Sequence, residues 1–232
     1  TSWGAKRILV ACPGEVSNLI IGQFGVETYS DLLSLPPHDY QVAMLSLPLH
    51  LDRAGVAAGI EFPYLKATVD FEFPELDAAK IADPGKLNIG FTFSGNPKHR
   101  NDKYRSVTPG QFKSMMDTSI ANWWQLQASP LPDEFSGFAK KIETPSILAV
   151  ASAVSKMDVI VTVDTFLAHI AGAMDVPVNV MLPANADWRW ELSGSSTRWY
   201  PLMRLFRQKK IQEWEPVFAG ILESLREVHK SM

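Results

Sequence analysis

The most informative stretch of this 232-residue chain joins an apolar strand directly to a helix. Residues 160–174 read Ile-Val-Thr-Val-Asp-Thr-Phe-Leu-Ala-His-Ile-Ala-Gly-Ala-Met, with Asp164 and Thr165 at the junction. The first N–H groups of a helix have no partner inside the helix, and the helix dipole adds partial positive charge there. The sequence therefore predicts an anion-binding site at the start of this helix, beyond the carboxyl end of the strand.

Asp164 and His169 also have plainer structural interpretations. Asp is a preferred N-cap residue, so Asp164 could simply cap the helix, while His169 could pack in a cleft on the same helical face as Thr165. A carboxylate at the cap would also repel phosphate. A ligand with phosphates for the amides of Thr165 and Phe166, and with hydroxyls for Asp164, would satisfy both groups. A nucleotide sugar has both.

Two further polar loops follow predicted strands. Residues 94–106 follow Phe93 and contain two Lys, two Arg and one His, while residues 182–190 place Arg189 between two Trp that could stack on a base or sugar. The first loop could equally be a solvated basic segment, and the tryptophans could wall the core. Because parallel strands end at the same edge of a sheet, we expect all three loops to converge on one crevice.

The elements that would position these loops alternate between strand and helix. Strands are predicted at 7–11, 26–29, 87–93, 123–126, 159–163, 178–182 and 203–206. Helices are predicted at 15–22, 109–117, 146–156, 165–174 and 213–230. Residues 36–84 are rich in Pro, Asp and Gly and are predicted to be mostly loop. This alternation indicates an α/β fold, with helices on both faces of a parallel sheet.

Composition and missing motifs argue against several classes of protein. A formal net charge of -3 gives no general attraction to nucleic acid or to anionic membranes. One cysteine, Cys12, excludes an internal disulfide and suits a reducing compartment, and no signal peptide or membrane-spanning run is apparent, so we expect a cytoplasmic protein. Gly-rich dinucleotide and P-loop motifs are absent, as is zinc-ligand spacing. We therefore expect no cofactor and no metal.

The three loops together resemble one family. They look like bacterial glycosyltransferases that are often fused to tetratricopeptide repeats and are related to the ADP-heptose:lipopolysaccharide heptosyltransferases. The resemblance is dense over residues 86–210 and looser before them. It rests on residues 94–102 with 105–106, on 163–165 with 169–173, and on 187–190 with 199–201 and 204–208.

The resemblance implies GT-B architecture, in which two Rossmann-like parallel-sheet domains face each other across a cleft. We expect a truncated, acceptor-side domain at residues 1–84 and a nucleotide-sugar-binding domain with a long C-terminal helix at 85–232. The family transfers sugar from a nucleotide-diphosphate donor without a metal, because helix dipole and side chains stabilise the leaving diphosphate. The acceptor, which could be a glycan, a lipid or a protein, is not specified.

One family feature is missing from this sequence. The Gly-Leu-Gly-Asp-like loop, whose Asp is assigned as the family's catalytic base, has no counterpart here. The catalytic residue is therefore unknown, and our hypothesis is that the chain keeps the donor half of the site without the base. An incomplete N-terminal sheet would expose strand edges, so a homodimer is compatible with the sequence.

The resemblance also implies roles for particular residues. Thr165, Phe166 and Leu167 would donate backbone N–H groups to the diphosphate, Asp164 would hold sugar hydroxyls, and His169 would support the turn or touch the phosphates. Relatives usually have a small residue at the position of Phe166. The full predicted binding set is Ser94, Gly95, Asn96, Lys98, Arg105, Asp164, Thr165, Phe166, Leu167, His169, Asp187, Trp188 and Arg189.

Two other classes of function remain open on the sequence alone. The chain could be a non-catalytic module that binds a nucleotide or nucleotide sugar, or a purely structural Rossmann-like domain. Binding of ADP, UDP or GDP, combined with an assay for sugar transfer, separates all three.

Overall fold

Two parallel sheets organise the chain, whose computed structural model describes residues 5–53 and 60–232. The strands are β1 (Leu9–Ala11), β2 (Glu27–Tyr29), β3 (Leu87–Thr92), β4 (Ala121–Gln125), β5 (Ala139–Lys141), β6 (Val159–Val163), β7 (Val178–Leu182) and β8 (Met203–Arg207). β1 pairs only with β2, while the other six form one sheet in the order β5-β4-β3-β6-β7-β8. Every pairing between these strands is parallel, so the predicted α/β class is confirmed.

The strand order of the larger sheet determines where a ligand can bind. The chain runs outward from β3 to β5, then returns to the other side of β3 and runs outward again from β6 to β8. This is the doubly wound order of dinucleotide-binding folds, and the direction reverses between β3 and β6. Crossover connections leave a crevice outside the carboxyl ends of the strands at such a reversal. The loops that begin at Phe93 and Asp164 both start there.

Helices connect and cover the strands. They are α1 (Gly14–Ile20), α2 (Leu47–Arg53), α3 (Pro74–Ala82), α4 (Asp102–Arg105), α5 (Pro109–Lys113), α6 (Ile147–Ser155), α7 (Phe166–Ala173) and α8 (Glu215–Lys230). Short 3-10 turns occur at Met44–Ser46, Asp133–Phe135 and Trp188–Trp190. None of the helices in the described part of the chain is long and apolar enough to cross a membrane.

The described part of residues 36–84 is mostly loop, as predicted, but it also contains the helices α2 and α3, which were not predicted; residues 54–59 of that range lie outside the described residues. α3 starts with Pro74 as its first helical residue and has Glu75 and Asp77 in its first turn, which are standard signals for a helix start. Leu76 and Ala79 are buried on one face of this helix. The surrounding Pro and Asp residues hid this short pattern in the sequence.

Successive strand residues point to opposite faces of the sheet, and helices bury both faces. Trp124 and Ile160 belong to the core on one face, where α6 and α7 pack. Trp123 and Val161 belong to the core on the other face, which includes residues of α5 and α8. Leu19 of α1 joins the first core, so the N-terminal segment packs onto the larger sheet. The predicted domain boundary between residues 84 and 85 stays a prediction.

Phe112 is the centre of an aromatic cluster on the second face. It is fully buried, and its ring centroid lies 4.8 Å from Phe91, 6.0 Å from Phe135 and 6.2 Å from Trp123. We expect Phe112→Ala to lower the free energy of unfolding by about 3–5 kcal/mol, since it leaves a cavity among rings that cannot collapse into it. Urea denaturation measures the change. Phe24→Ala, at an exposed position, is the matched control, and an equal loss in both variants would contradict this account.

Candidate functional site

A cavity of about 730 Å³ lies at the carboxyl edge of the larger sheet. Residues from the loops after β3, β6 and β7 line it together, and Ile211 joins them from the segment after β8. The lining residues are His99, Asn101, Tyr104, Arg105, Asp164, Thr165, Phe166, His169, Pro183, Asn185, Ala186, Asp187, Arg189 and Ile211. The structure therefore brings the three polar loops to one cavity, where the reversal of strand order places a crevice.

The predicted binding residues divide into two groups. Those that line the cavity are Arg105, Asp164, Thr165, Phe166, His169, Asp187 and Arg189. Those outside its lining are Ser94, Gly95, Asn96, Lys98, Leu167 and Trp188. Leu167 is buried in the core, and Trp188 is half-exposed with the Arg189 guanidinium 5.0 Å from its ring centroid. Whether any of these residues binds a ligand stays a prediction.

The helix start differs from the expectation that Asp164 caps it. Thr165 is the N-cap residue, in extended conformation, and its side chain accepts no hydrogen bond from the first turn of α7. The Thr165 hydroxyl turns back toward the sheet instead, where its Oγ1 lies 3.0 Å from Oγ1 of Thr162 and 3.5 Å from that of Thr92. The first-turn amides of α7 are thus left uncapped by this side chain, beside the cavity.

Arg105 ties the loop after β3 to this helix start. Its Nη1 donates to the carbonyl oxygen of Asp164 over 2.7 Å, and its Nε donates to Asp102 Oδ1 over 3.1 Å. Ser106 Oγ in turn donates to the other oxygen of Asp102 and accepts from the Gly95 N–H. A Cβ on Gly95 would lie 2.5 Å from Arg105 Nη2. The absence of a side chain at Gly95 therefore leaves room for Arg105 to pack closely against the loop.

The first residues of the loop after β3 are occupied within the protein. Ser94 Oγ accepts from Gln127 Nε2 over 2.8 Å, while its N–H donates to Gln127 Oε1 over 3.3 Å. Asn96 Oδ1 accepts from the Lys98 N–H over 2.9 Å, which closes a turn. These bonds explain why the second half of the loop, from His99 to Arg105, faces the cavity instead.

His169 lies one turn into α7, in the wall of the cavity. Its ring stacks on Trp190 with centroids 5.2 Å apart and planes 15° from parallel, and its Nδ1 lies 3.1 Å from the hydroxyl of Tyr200. Burial lowers the pKa of His169; Asp164 and Asp187 raise it and Arg189 lowers it further, but burial is the largest cause. The imidazole is therefore neutral at pH 7.

Trp190 is fully buried in the core, so of the two alternatives open for this tryptophan the structure shows that it walls the core. It serves as the platform for His169, and its carbonyl oxygen accepts a hydrogen bond from Arg207. Asp187 caps the 3-10 turn that contains both tryptophans and also forms an ion pair with the Arg189 side chain. The turn therefore presents a paired carboxylate and guanidinium to the cavity.

The cavity also has lining residues that the predicted binding set omits. His99, Asn101 and Tyr104 lie in the loop after β3, and Pro183, Asn185 and Ala186 follow β7 directly; their position after strand ends is the signal that could have found them. Ile211 likewise lies in the segment after β8. It is placed by Gln208, whose Oε1 accepts from the N–H groups of Ala184 and Gln212, each over 3.3 Å, so that the last two loops approach each other.

No protein-family model matches this chain, and no match is found among curated proteins. Solved structures do match. The E. coli heptosyltransferase WaaC with ADP gives a TM-score of 0.50 at 12% identity, over 93% of this chain and 70% of that one. E. coli ADP-heptose lipopolysaccharide heptosyltransferase II gives 0.43 at 14% identity, over 74% of this chain and 56% of that one. A family 9 glycosyl transferase from Veillonella parvula gives 0.47 at 9% identity, over 99% of this chain and 69% of that one.

These similarities concern the fold. At 12% identity, the match to WaaC shows that this chain shares its α/β architecture. The chain spans little more than half the length of heptosyltransferase II. Activity and substrate are therefore argued from the site itself.

Gly172 allows the Tyr200 ring to lie directly against α7, because a Cβ at this position would overlap that ring. We expect Gly172→Ala to cost about 1–3 kcal/mol through overpacking, despite the better helix propensity of Ala. Gly110→Ala, in a helix with open space around the new methyl group, is the matched control and should leave stability unchanged or raise it. Thermal unfolding compares the two. Equal stability of both variants would show that Tyr200 moves aside freely.

Proposed function

We propose that this chain is a glycosyltransferase-like protein that binds a nucleotide-diphosphate sugar and transfers the sugar to an acceptor still to be identified. The proposal rests on one observation: the start of α7, without a side-chain cap, borders a cavity at the point where the strand order reverses. Helix N-termini bind phosphate through free amides and the helix dipole. WaaC, which shares the fold, has been solved with ADP.

The charges in the cavity favour directional binding over general attraction of anions. Arg105 and Arg189 are balanced by Asp164 and Asp187 among the lining residues. A diphosphate would therefore be held by the amides of Thr165, Phe166 and Leu167, aided by charge-assisted hydrogen bonds from the guanidinium groups. The cavity volume, about 730 Å³, lies within the usual range of roughly 300–1,000 Å³ for small-molecule sites.

The two acidic residues of the cavity suit the sugar better than the phosphates. Asp164 directly precedes the helix start, where its carboxylate could accept hydrogen bonds from donor sugar hydroxyls. The apolar faces of Tyr104, Pro183 and Ile211, in other parts of the lining, could contact the base. This division would give each part of a nucleotide sugar a partner of matching chemistry.

Transfer requires stabilisation of the leaving diphosphate and a base for the acceptor. Amides and guanidinium groups preorganised at the start of α7 would stabilise the developing charge, without a metal. The acceptor base is unassigned. Asp187 is paired with Arg189, and His169 is mostly enclosed by Trp190 and Tyr200.

One observation favours the alternative of a binding module without catalysis. Of the described residues, none before His99 lines the cavity, so the N-terminal part contributes no group to it. In GT-B architecture the acceptor side would be expected there. A donor-release assay separates the alternatives: nucleotide release from ADP-, UDP- or GDP-sugar that is lost in Asp164→Asn supports the transferase, and binding without release supports the module. Failure to bind any of the three diphosphates overturns both.

Phe166 allows a clean test of the amide site. It is the first helical residue of α7 and follows an extended Thr165, so Pro fits there and removes one N–H without strain. We expect Phe166→Pro to weaken ADP binding roughly 10- to 150-fold, because a hydrogen bond to a charged group contributes about 1.5–3 kcal/mol. Isothermal titration calorimetry measures the dissociation constant.

Phe166→Ala is the matched control for that substitution. It keeps the N–H and removes a ring that is 48% exposed in the cavity wall, so ADP should bind with equal or higher affinity. If the Pro and Ala variants bind ADP equally well, the amide of residue 166 has no role in phosphate binding.

A further inference from the structure

His169 joins the anion-binding end of the cavity to a pair of tyrosines behind it. Its ring is held by two independent contacts, the stack on Trp190 and the hydrogen bond between Nδ1 and the Tyr200 hydroxyl over 3.1 Å. Because Nδ1 is occupied by Tyr200, Nε2 is the nitrogen left for a ligand in the cavity that His169 lines.

The tyrosine pair allows a His169 tautomer that carries its proton on Nδ1. Tyr200 shares a second hydrogen bond with Tyr64, and burial raises the pKa of both phenols, so both stay protonated at neutral pH. A phenol has one proton to donate. When Tyr200 donates to Tyr64, its oxygen accepts from Nδ1–H of His169, and Nε2 carries a lone pair.

This arrangement is anchored to α7 itself. The N–H groups of Tyr64 and Leu65 both donate to the carbonyl oxygen of Ala173, the last residue of α7, over 3.1 Å. Phe62 packs its ring edge-on to Tyr200, with centroids 6.5 Å apart. Tyr64 and Tyr200 therefore keep their positions relative to His169 as long as α7 is intact.

The charged groups around His169 are nearly balanced without a ligand. Asp164 lies just before α7, the helix that carries His169, and Asp187 and Arg189 come from the turn that follows β7. The two carboxylates favour the imidazolium, Arg189 disfavours it, and burial keeps the ring neutral. A bound diphosphate adds negative charge beside the ring and would reverse this balance.

We propose that His169 takes up one proton at Nε2 when a diphosphate binds at the start of α7, so that the phosphate is met by an imidazolium N–H. The proposal rests on the proposed function of the same site. The proton comes from solvent. Nδ1 keeps its own proton, which it donates to the Tyr200 oxygen, and the new N–H is the only covalent bond that forms. Tyr200 acts as a positioning residue, because it works through His169.

Proton uptake makes binding depend on pH with a definite sign. If the complex binds one more proton than the free protein, the affinity for ADP falls about tenfold for each unit of pH rise between the free and bound pKa values of His169. Burial lowers the free pKa of His169 below its ordinary value of about 6.5, so the fall begins below that pH, and net uptake at pH 7.0 requires it to continue to neutral pH.

The test is calorimetry of ADP binding at pH 7.0 in PIPES and in Tris, two buffers without phosphate whose different ionisation enthalpies reveal the number of protons exchanged. We expect net uptake by the wild-type chain and none by His169→Gln, whose amide can hydrogen-bond but cannot titrate. The terminal phosphate of ADP, with a pKa of about 6, can only release protons on binding to a cationic site, so it cannot be the source of net proton uptake.

Tyr200→Phe tests the positioning role. It keeps the ring against Gly172 and removes the acceptor for Nδ1–H, so proton uptake should decrease. A residue that only packs would leave the proton count unchanged. Thermal unfolding checks that both variants fold.

The outcomes separate the two proposals. Equal proton counts in wild type and His169→Gln, with ADP bound to both, overturn the role of His169 and leave the proposed function intact. Failure of the wild type to bind ADP, UDP or GDP overturns both. If a variant does not fold, an NMR titration of the His169 ring in the wild-type chain decides: a titration midpoint that rises on adding ADP supports the proposal, and an unmoved midpoint contradicts it.

Discussion

β3 and β6 pair in parallel with Thr92 opposite Thr162, and the hydroxyls of these two residues lie 2.6 Å apart in the buried interior. This pairing fixes how far along β3 and β6 the loops that follow these two strands leave the sheet. The Thr165 hydroxyl joins the same buried pair and so is turned away from the first turn of α7. The uncapped start of α7, the position of Arg105 and the depth of the cavity all depend on that register.

The electrostatics of the cavity are local. Asp164 and Asp187 offset Arg105 and Arg189, and the formal charge of the chain is slightly negative, so an anion gains little from the overall field. Under the proposed function, binding would depend on where individual N–H groups point, and the site would select a ligand whose phosphates and hydroxyls match that pattern. His169 adds a charge that would form only when the ligand is present.

α7 is supported at both ends by segments distant in the sequence. Arg105 holds the Asp164 carbonyl at its start, and residues 64–65 hold the Ala173 carbonyl at its end. The second contact ties the N-terminal segment to the helix that borders the cavity. A change in the N-terminal segment could therefore reach His169 through Tyr64 and Tyr200, without any direct contact with a ligand.

The local sequence was sufficient to predict the strands that are buried along their whole length. The strands at 159–163 and 178–182 were predicted with their observed bounds, because continuous apolar runs flanked by turn residues have few alternatives, and the parallel order implied that the loops after them share an edge.

Tertiary structure alone decided which groups face the cavity. The Thr165 side chain leaves the first turn of α7 uncapped because its hydroxyl lies against Thr162 and Thr92. Trp190 is buried with His169 stacked on its ring, and Gln212 donates to the Lys103 carbonyl over 3.1 Å across 109 residues of chain. Contacts between residues so far apart leave no local pattern, whereas burial along one strand does.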